Sequence, residues 1–441
     1  MIMALVLSRI KHFKALAYCA RLKQRKWLAN TTLAADGRVC SSFVAGKMPT
    51  RNKTDFETTN DSLQVNWEDG DQSKYPFIFL RDNCQCEHCF HATAMQRTCD
   101  VVGNFSVDIK PESTWLTEDG VTMEWEDGHR SSFPFKWLRE RMFPKSEMEI
   151  GTRRSNCGLK PITWGSDLIG KIPKYEFGKV TRDDPTLLSW LETVAVTGLT
   201  LLENTPGTSE SLELIRDKLG CAYRSTHYGE RFVVKNKPGP SNLAYTAGYL
   251  PLHVDLPFYR YQPGVQVLHC IQQAAQKGGE NHFVDGVHIA ELLREQEPDA
   301  FQLLSSVKFS FQDVGVDAYG DYNKYYERPI IGLDTFGNVE DIAQNNHVRS
   351  SFINAPSEKV KRVYEAYFKL VKTMYAPENL VTYKMREGDM LVFNNKRVLH
   401  GRAAYEATSP RYLQGCYFDW DEVYSAIRVL RRKLGYKGST L

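Results

Sequence analysis

The chain has 441 residues, 42% hydrophobic and 25% charged, the composition of an ordinary soluble globular protein with room for two domains. A net charge of +3 gives no argument for nucleic acid, and no stretch approaches the roughly 20 apolar residues that span a membrane. Ten cysteines, scattered except for one cluster, exclude a secreted disulfide scaffold.

Residues 1–35 carry Arg9, Lys11, Lys14, Arg21, Lys23, Arg25 and Lys26, with no acid before Asp36 and with Leu, Ala and Ile interleaved. That pattern predicts a mitochondrial presequence, with a disordered basic tail on a cytoplasmic protein as the alternative. Residues 36–60 are polar and read as a linker, so 1–60 forms a leader. Residues 61–145 read as a small β-rich domain. Strands are expected at 62–67, 77–80 and 122–125, with turns at 68–70 and 126–128. Residues 146–178 read as a connector, and 179–441 as a second domain. Helices are expected there at 187–196, 209–220, about 287–305 and 357–375, between short strands. A basic amphipathic helix at 421–434 carries Val423, Ile427, Val429, Leu430 and Leu434 on or near one face. No internal repeat is evident.

Within the small domain, Cys84-Gln85-Cys86-Glu87-His88-Cys89 puts three thiols within six residues. With His129, which follows a predicted strand, they offer the donors of a closed tetrahedral zinc site. His88, His91 and Cys99 are other candidates for the fourth ligand, though His88 sits inside the knuckle. The expected role is folding, because nothing singles out one thiol with a histidine partner for catalysis.

In the second domain, His253-Val254-Asp255 is answered by His400. Two imidazoles and a carboxylate can hold a metal on one face and leave the other open, the facial arrangement of non-haem Fe(II) oxygenases. Positions i and i+2 of a strand point the same way, so His253 and Asp255 can share an ion, while Leu252, Val254 and Leu256 face a core. His400 follows the run 390–393 and a turn, on a second strand. Arg411 comes eleven residues later. A guanidinium pairs a carboxylate through two parallel hydrogen bonds, which suits 2-oxoglutarate as co-substrate. Many short strands, with ligands on two distant ones, predict a mainly β protein with flanking helices. Its catalytic domain would be a double-stranded β-helix, the jelly-roll or cupin-like architecture, beside the small zinc domain.

The chain resembles the gamma-butyrobetaine/trimethyllysine hydroxylase family of Fe(II)/2-oxoglutarate oxygenases from about residue 62 to 434. The resemblance is carried by Trp67-Glu68-Asp69-Gly70, Leu80-Arg81-Asp82-Asn83-Cys84-x-Cys86-x-x-Cys89 and Trp125-x-Asp127-x-His129. It continues in Leu243-Ala244-Tyr245-Thr246, His253-x-Asp255, Pro263-Gly264-Val265-Gln266, Val284-Asp285-Gly286, Arg397-Val398-Leu399-His400-Gly401-Arg402 and Asp419-Trp420-Asp421. It implies iron at His253, Asp255 and His400, 2-oxoglutarate at Arg411, and zinc at Cys84, Cys86, Cys89 and His129. It also implies a homodimer and an aromatic cage at Tyr228, Phe232, Tyr245 and Tyr417 for a trimethylammonium group. A quaternary ammonium has no hydrogen to donate, so aromatic faces are its natural partners. Asn242 and Asn346 match positions expected near the substrate carboxylate. Phe232 stands where the family usually has Trp, and Asn394 and Lys396 depart from its Asp-Asn-Trp-Arg.

Asp313-Val314-Gly315-Val316-Asp317 and the run 415–421 lean toward hydroxylation of gamma-butyrobetaine to L-carnitine, with release of succinate and carbon dioxide. Ascorbate is expected as the reductant that keeps iron ferrous. The alternatives are trimethyllysine hydroxylation at the same iron, or a cupin-like binding module without catalysis.

Overall fold

The computed structural model describes residues 54–145, 157–236 and 242–436. The basic segment read as a presequence lies outside the described residues. The end of the expected linker is structured: Asp55–Thr58 is a strand paired antiparallel with Ser62–Asn66. Its one apolar residue, Phe56, packs on the small domain's core but is too little to show a period.

The small domain contains an internal repeat that inspection of the sequence missed. Trp67-Glu68-Asp69-Gly70 and Trp125-Glu126-Asp127-Gly128 lie 58 positions apart, each within a three-stranded sheet followed by a short helix. The Trp67 indole donates to Ser73 at 2.8 Å, and the Trp125 indole to Ser131 at 2.9 Å. The halves exchange charges: Arg81 of the first pairs with Asp127 at 2.8 Å, and Arg139 of the second with Asp69 at 2.7 Å. The repeat hides because the matching positions are mostly buried ones, separated by divergent exposed ones. Phe77-Ile78-Phe79-Leu80, expected as a strand, opens the helix Phe77–Asp82 instead. Its buried residues, Phe77, Leu80 and Arg81, follow i, i+3, i+4 spacing, and Pro76 immediately precedes the first turn.

In the larger domain six strands form one sheet, in the order Arg231–Val234, Tyr412–Phe418, Val265–Gln272, Met390–Asn394, Leu199–Glu203 and Lys174–Glu176. Four more form a second, in the order Leu250–His253, Val398–Arg402, Asn281–Asp285 and Val381–Tyr383. One core joins the two sheets, with Leu201, Leu268, Leu391 and Phe393 from the first and Leu252, Phe283 and Leu399 from the second. The opposite face of the six-stranded sheet, through Val265, Val267, Met390 and Val392, packs on the helices Asp184–Thr197 and Trp420–Lys433. Both faces are covered, so these strands read as continuous apolar runs. Part of the expected connector belongs to this domain: Lys174–Glu176 extends the large sheet, and Trp164 is in its core. Three residues of mixed polarity carry no legible strand signal.

The helix expected at about 287–305 is two, Gly286–Gln296 and Pro298–Ser306, broken before Pro298. On the C-terminal helix Val423, Ala426, Ile427 and Leu430 are buried, but Val429 is 48% exposed. Two positions past Ile427 is about 200° around the helix, so Val429 faces away.

Arg397 ties the layers together. Its guanidinium meets both oxygens of Asp285 at 2.9 and 2.7 Å and donates to the Val196 carbonyl at 2.9 Å, while Asp285 also caps the helix Gly286–Gln296. Arg397→Met should destabilise the protein by about 3–5 kcal/mol, because it strands a buried carboxylate. A denaturant midpoint unchanged by the substitution would refute this.

Candidate metal centre and substrate pocket

His253 ends the strand Leu250–His253, and His400 sits in the middle of Val398–Arg402. The two are direct cross-strand partners, with ring centroids 4.3 Å apart. Asp255 lies just past the strand rather than on it. Its loop turns at Leu256, which has φ +60°, and is pinned by Asn395, whose side chain bonds the Asp255 N–H at 2.8 Å and carbonyl at 3.0 Å. Leu252, Val254 and Leu256 are all buried, as their spacing requires.

The Asp255 Oδ1 lies 3.2 Å from His253 Nε2 and 3.6 Å from His400 Nε2. All three donor atoms fall within 4.8 Å of one another, close enough to share one ion. The Pro251 carbonyl accepts from His253 Nδ1 at 2.8 Å, which leaves the Nε2 lone pair for a metal. Burial, then His253, pushes His400 down to about 3, so its ring is neutral and keeps a lone pair that could face a metal. Burial alone would raise the Asp255 carboxyl. His400, His253 and the Tyr417 hydroxyl outweigh it and hold Asp255 well below the usual carboxylate range. One anion and two neutral imidazoles suit a divalent cation of borderline hardness such as Fe(II).

A cavity opens on this centre. Arg411, just before the strand Tyr412–Phe418, lines it and is buried. Its guanidinium has no hydrogen bond or ion pair among the described residues and lies 5.6 Å from the Tyr405 ring. Burial, then Arg402, lowers its pKa to about 10, still a cation at neutral pH. A buried, unpaired guanidinium beside a cavity is a site for an anion. Arg402 is not equivalent, since the carbonyls of Thr246 and Gly248 accept from it at 2.7 and 2.9 Å.

The four expected cage residues line the same cavity. Ring centroids are 5.0 Å apart for Phe232 and Tyr417, 6.3 Å for Tyr228 and Phe232, and 6.4 Å for Tyr228 and Tyr245. Phe232 faces Gly415 across the sheet, where a Cβ would stand 2.4 Å from its ring. The Tyr417 hydroxyl donates to Asp255 Oδ2 at 2.7 Å, so one residue serves both the aromatic wall and the metal centre. Of the two departures, Asn394 ends the strand Met390–Asn394 and Lys396 falls in the turn after it, and Asn394 Oδ1 accepts from the Lys396 N–H and the Trp420 indole.

Asn242 lines the cavity and donates to the Tyr228 hydroxyl at 2.9 Å. Asn346 is exposed and accepts from Arg349 and Tyr367 at 3.2 and 3.3 Å. Its neighbours Asn345 and His347 face a second cavity instead, which continues past His253 and Asp255. Asp313 also lines it, its carboxyl raised by burial. Asn345, His347 and the Asn395 clamp went unnoticed in the sequence. The doublet Asn345-Asn346 offers no way to choose the inward residue without the register of the neighbouring backbone.

In the small domain His129 Nε2 lies 3.2, 3.5 and 3.5 Å from the sulfurs of Cys84, Cys86 and Cys89. Burial, then Cys84, pushes the Cys89 thiol up to about 12. Such crowded thiols resist ionising together without a cation, while burial, then Arg81, keeps His129 neutral. The donor set and spacing fit tetrahedral zinc. In the other half of the repeat, Asp71 stands 58 positions before His129 and is paired with Lys145, an ion pair where this half has its cluster.

Residues 159–417 match the family model "Taurine catabolism dioxygenase TauD, TfdA family", and residues 54–139 match "Gamma-butyrobetaine hydroxylase-like, N-terminal". The chain is 36% identical to the gamma-butyrobetaine dioxygenase of Homo sapiens, over 84% of this chain and 95% of the relative. It is 34% identical to that of Pseudomonas sp. (strain AK-1), over 84% and 94%. It is 28% identical to the mitochondrial trimethyllysine dioxygenase of Gallus gallus, over 85% and 87%.

Proposed function

The chain belongs to the gamma-butyrobetaine dioxygenase family, and from that premise we propose that it hydroxylates gamma-butyrobetaine to L-carnitine, using Fe(II), dioxygen and 2-oxoglutarate and releasing succinate and carbon dioxide. The observation that carries this reading is Arg411: a buried, unpartnered guanidinium in the same cavity as a His/Asp/His cluster. Trimethyllysine dioxygenases match at lower identity, 28% against 36%.

His253, Asp255 and His400 would hold the iron at the edge of the cavity. Iron, when bound, supplies the activation of dioxygen coupled to oxidative decarboxylation of 2-oxoglutarate. Arg411 pairs the distal carboxylate of 2-oxoglutarate and so sets its reach toward the metal. Tyr228, Phe232, Tyr245 and Tyr417 surround the trimethylammonium group, each desolvated contact contributing up to about 2 kcal/mol. Leu250, Leu268 and Leu413 line the cavity with apolar surface that excludes water. The protein's share is orientation, with the substrate held at both ends so that one C–H bond faces the iron. Ascorbate keeps the iron ferrous. The basic N-terminal segment supports a mitochondrial address.

The test is succinate and carnitine formation by purified protein with Fe(II), ascorbate and 2-oxoglutarate, given gamma-butyrobetaine or trimethyllysine. Carnitine and butyrobetaine-stimulated succinate are expected. A preference for trimethyllysine would overturn the substrate, and no succinate from either would overturn the enzyme.

Cys84, Cys86, Cys89 and His129 hold one structural zinc. Stripping it with a strong chelator should unfold the small domain, since a zinc site of this kind contributes about 10–16 kcal/mol of binding free energy to folding. Elemental analysis and thermal melting of the full chain read this out. A zinc-free chain with an unaltered melt would count against the site.

A further inference from the structure

We infer that His347 is a specificity-determining residue, donating a ring N–H to the carboxylate end of the substrate. This rests on the butyrobetaine reading above. The cage grips the trimethylammonium end, so the opposite end of a short chain lying over the metal must reach the second cavity, past His253 and Asp255. Asp313 stands in that cavity and opposes an anion, though its carboxyl also has His227 Nε2 at 3.7 Å and the Tyr322 hydroxyl at 3.5 Å. An anionic end is therefore bound only if donors outweigh Asp313.

Besides the candidate ligand His253, four side chains on the cavity can donate, and one of them, the Tyr228 hydroxyl, belongs to the cage at the other end. Asn242 has one amide N–H spent on the Tyr228 hydroxyl, and its oxygen accepts from the Ala244 N–H. Asn345 has one amide N–H spent on the Val254 carbonyl, and its oxygen accepts from the His347 N–H. The His347 ring is uncommitted: neither nitrogen is hydrogen-bonded among the described residues, and Nε2 is buried. The backbone positions it. The Val254 N–H donates to the Gln344 carbonyl at 2.9 Å, which lays this segment along the His253–Asp255 loop and brings the His347 ring 5.6 Å from that of His253. A half-buried imidazole with a shielded, unbonded Nε2 stands at a loss until a ligand supplies a partner. A carboxylate is the acceptor that gains most from it.

The experiment compares wild type, His347→Ala and His347→Gln, with gamma-butyrobetaine and with its neutral carboxamide. KM comes from succinate formation, and Kd from equilibrium dialysis of labelled gamma-butyrobetaine. In His347→Ala both constants for gamma-butyrobetaine should rise about tenfold or more, as for loss of one hydrogen bond to a charged group. The carboxamide's KM and the KM for 2-oxoglutarate should stay put, and His347→Gln, which keeps an N–H donor, should recover most of the loss. Equal losses for carboxylate and carboxamide, or a raised KM for 2-oxoglutarate, would make His347 merely structural and overturn the proposal. So would unchanged constants in a protein that makes carnitine. A wild type that binds no gamma-butyrobetaine overturns the functional reading, and the proposal with it.

Discussion

Asp255→Ala should abolish ferrous-iron binding and lower carnitine formation by at least about a thousandfold, equivalent to about 4 kcal/mol of transition-state stabilisation. Asp255 is the one anion of the donor set. Without it the ion would face two neutral imidazoles in a cavity that is mostly apolar. The fold should survive, because Asn395 grips the loop through the Asp255 backbone and not through its carboxylate. Iron stoichiometry, turnover and melting temperature measured together separate the outcomes: a folded chain without iron or turnover is expected, and retained turnover would remove Asp255 from the centre. His253→Ala should lose turnover in the same way.

Arg411→Met should raise KM for 2-oxoglutarate about a hundredfold, the scale of losing a bidentate, charge-assisted pair. Lysine at this position should recover only part, since an ammonium cannot make two parallel bonds. The effect on stability distinguishes this arginine from Arg397. Arg397 is buried with a carboxylate, and its loss destabilises. Arg411 is buried with no hydrogen-bond or ion-pair partner among the described residues, and burial lowers its pKa to about 10, so the folded state disfavours its charge. For a cation the sign follows directly: the penalty is present at all pH values below about 10 and fades only as the pH rises through that value. Arg411→Met without 2-oxoglutarate should therefore melt no lower than the wild type, and the wild type alone should gain stability when 2-oxoglutarate is added. A lower melting temperature in the variant would mark Arg411 as a structural residue.

The chemistry of the site was legible in the sequence because it resides in residue types at short spacings. His253-x-Asp255, the three thiols of 84–89 and the single guanidinium before a strand each restrict what they can bind. That Tyr228, Phe232, Tyr245 and Tyr417 share one cavity was also expected, though only through resemblance to a family. The long amphipathic helices and the apolar strand runs showed themselves through their periods. Phe77-Ile78-Phe79-Leu80 did not, because four apolar residues in a row fit a buried strand and a short helix equally.

Tertiary structure decided whatever depends on partners distant in the chain. His400 reaches His253 because their strands pair in one register, and a slip by one residue would turn it to the other face. Asp127 pairs with Arg81 rather than with an arginine of its own half because the two repeats pack together. Asn345 and His347 face the second cavity, past His253 and Asp255, while Asn346 faces solvent, a choice made by the backbone bond between Gln344 and Val254. Residue identity sets which interactions are available, but direction in space is set by strand register and packing, which no single segment contains.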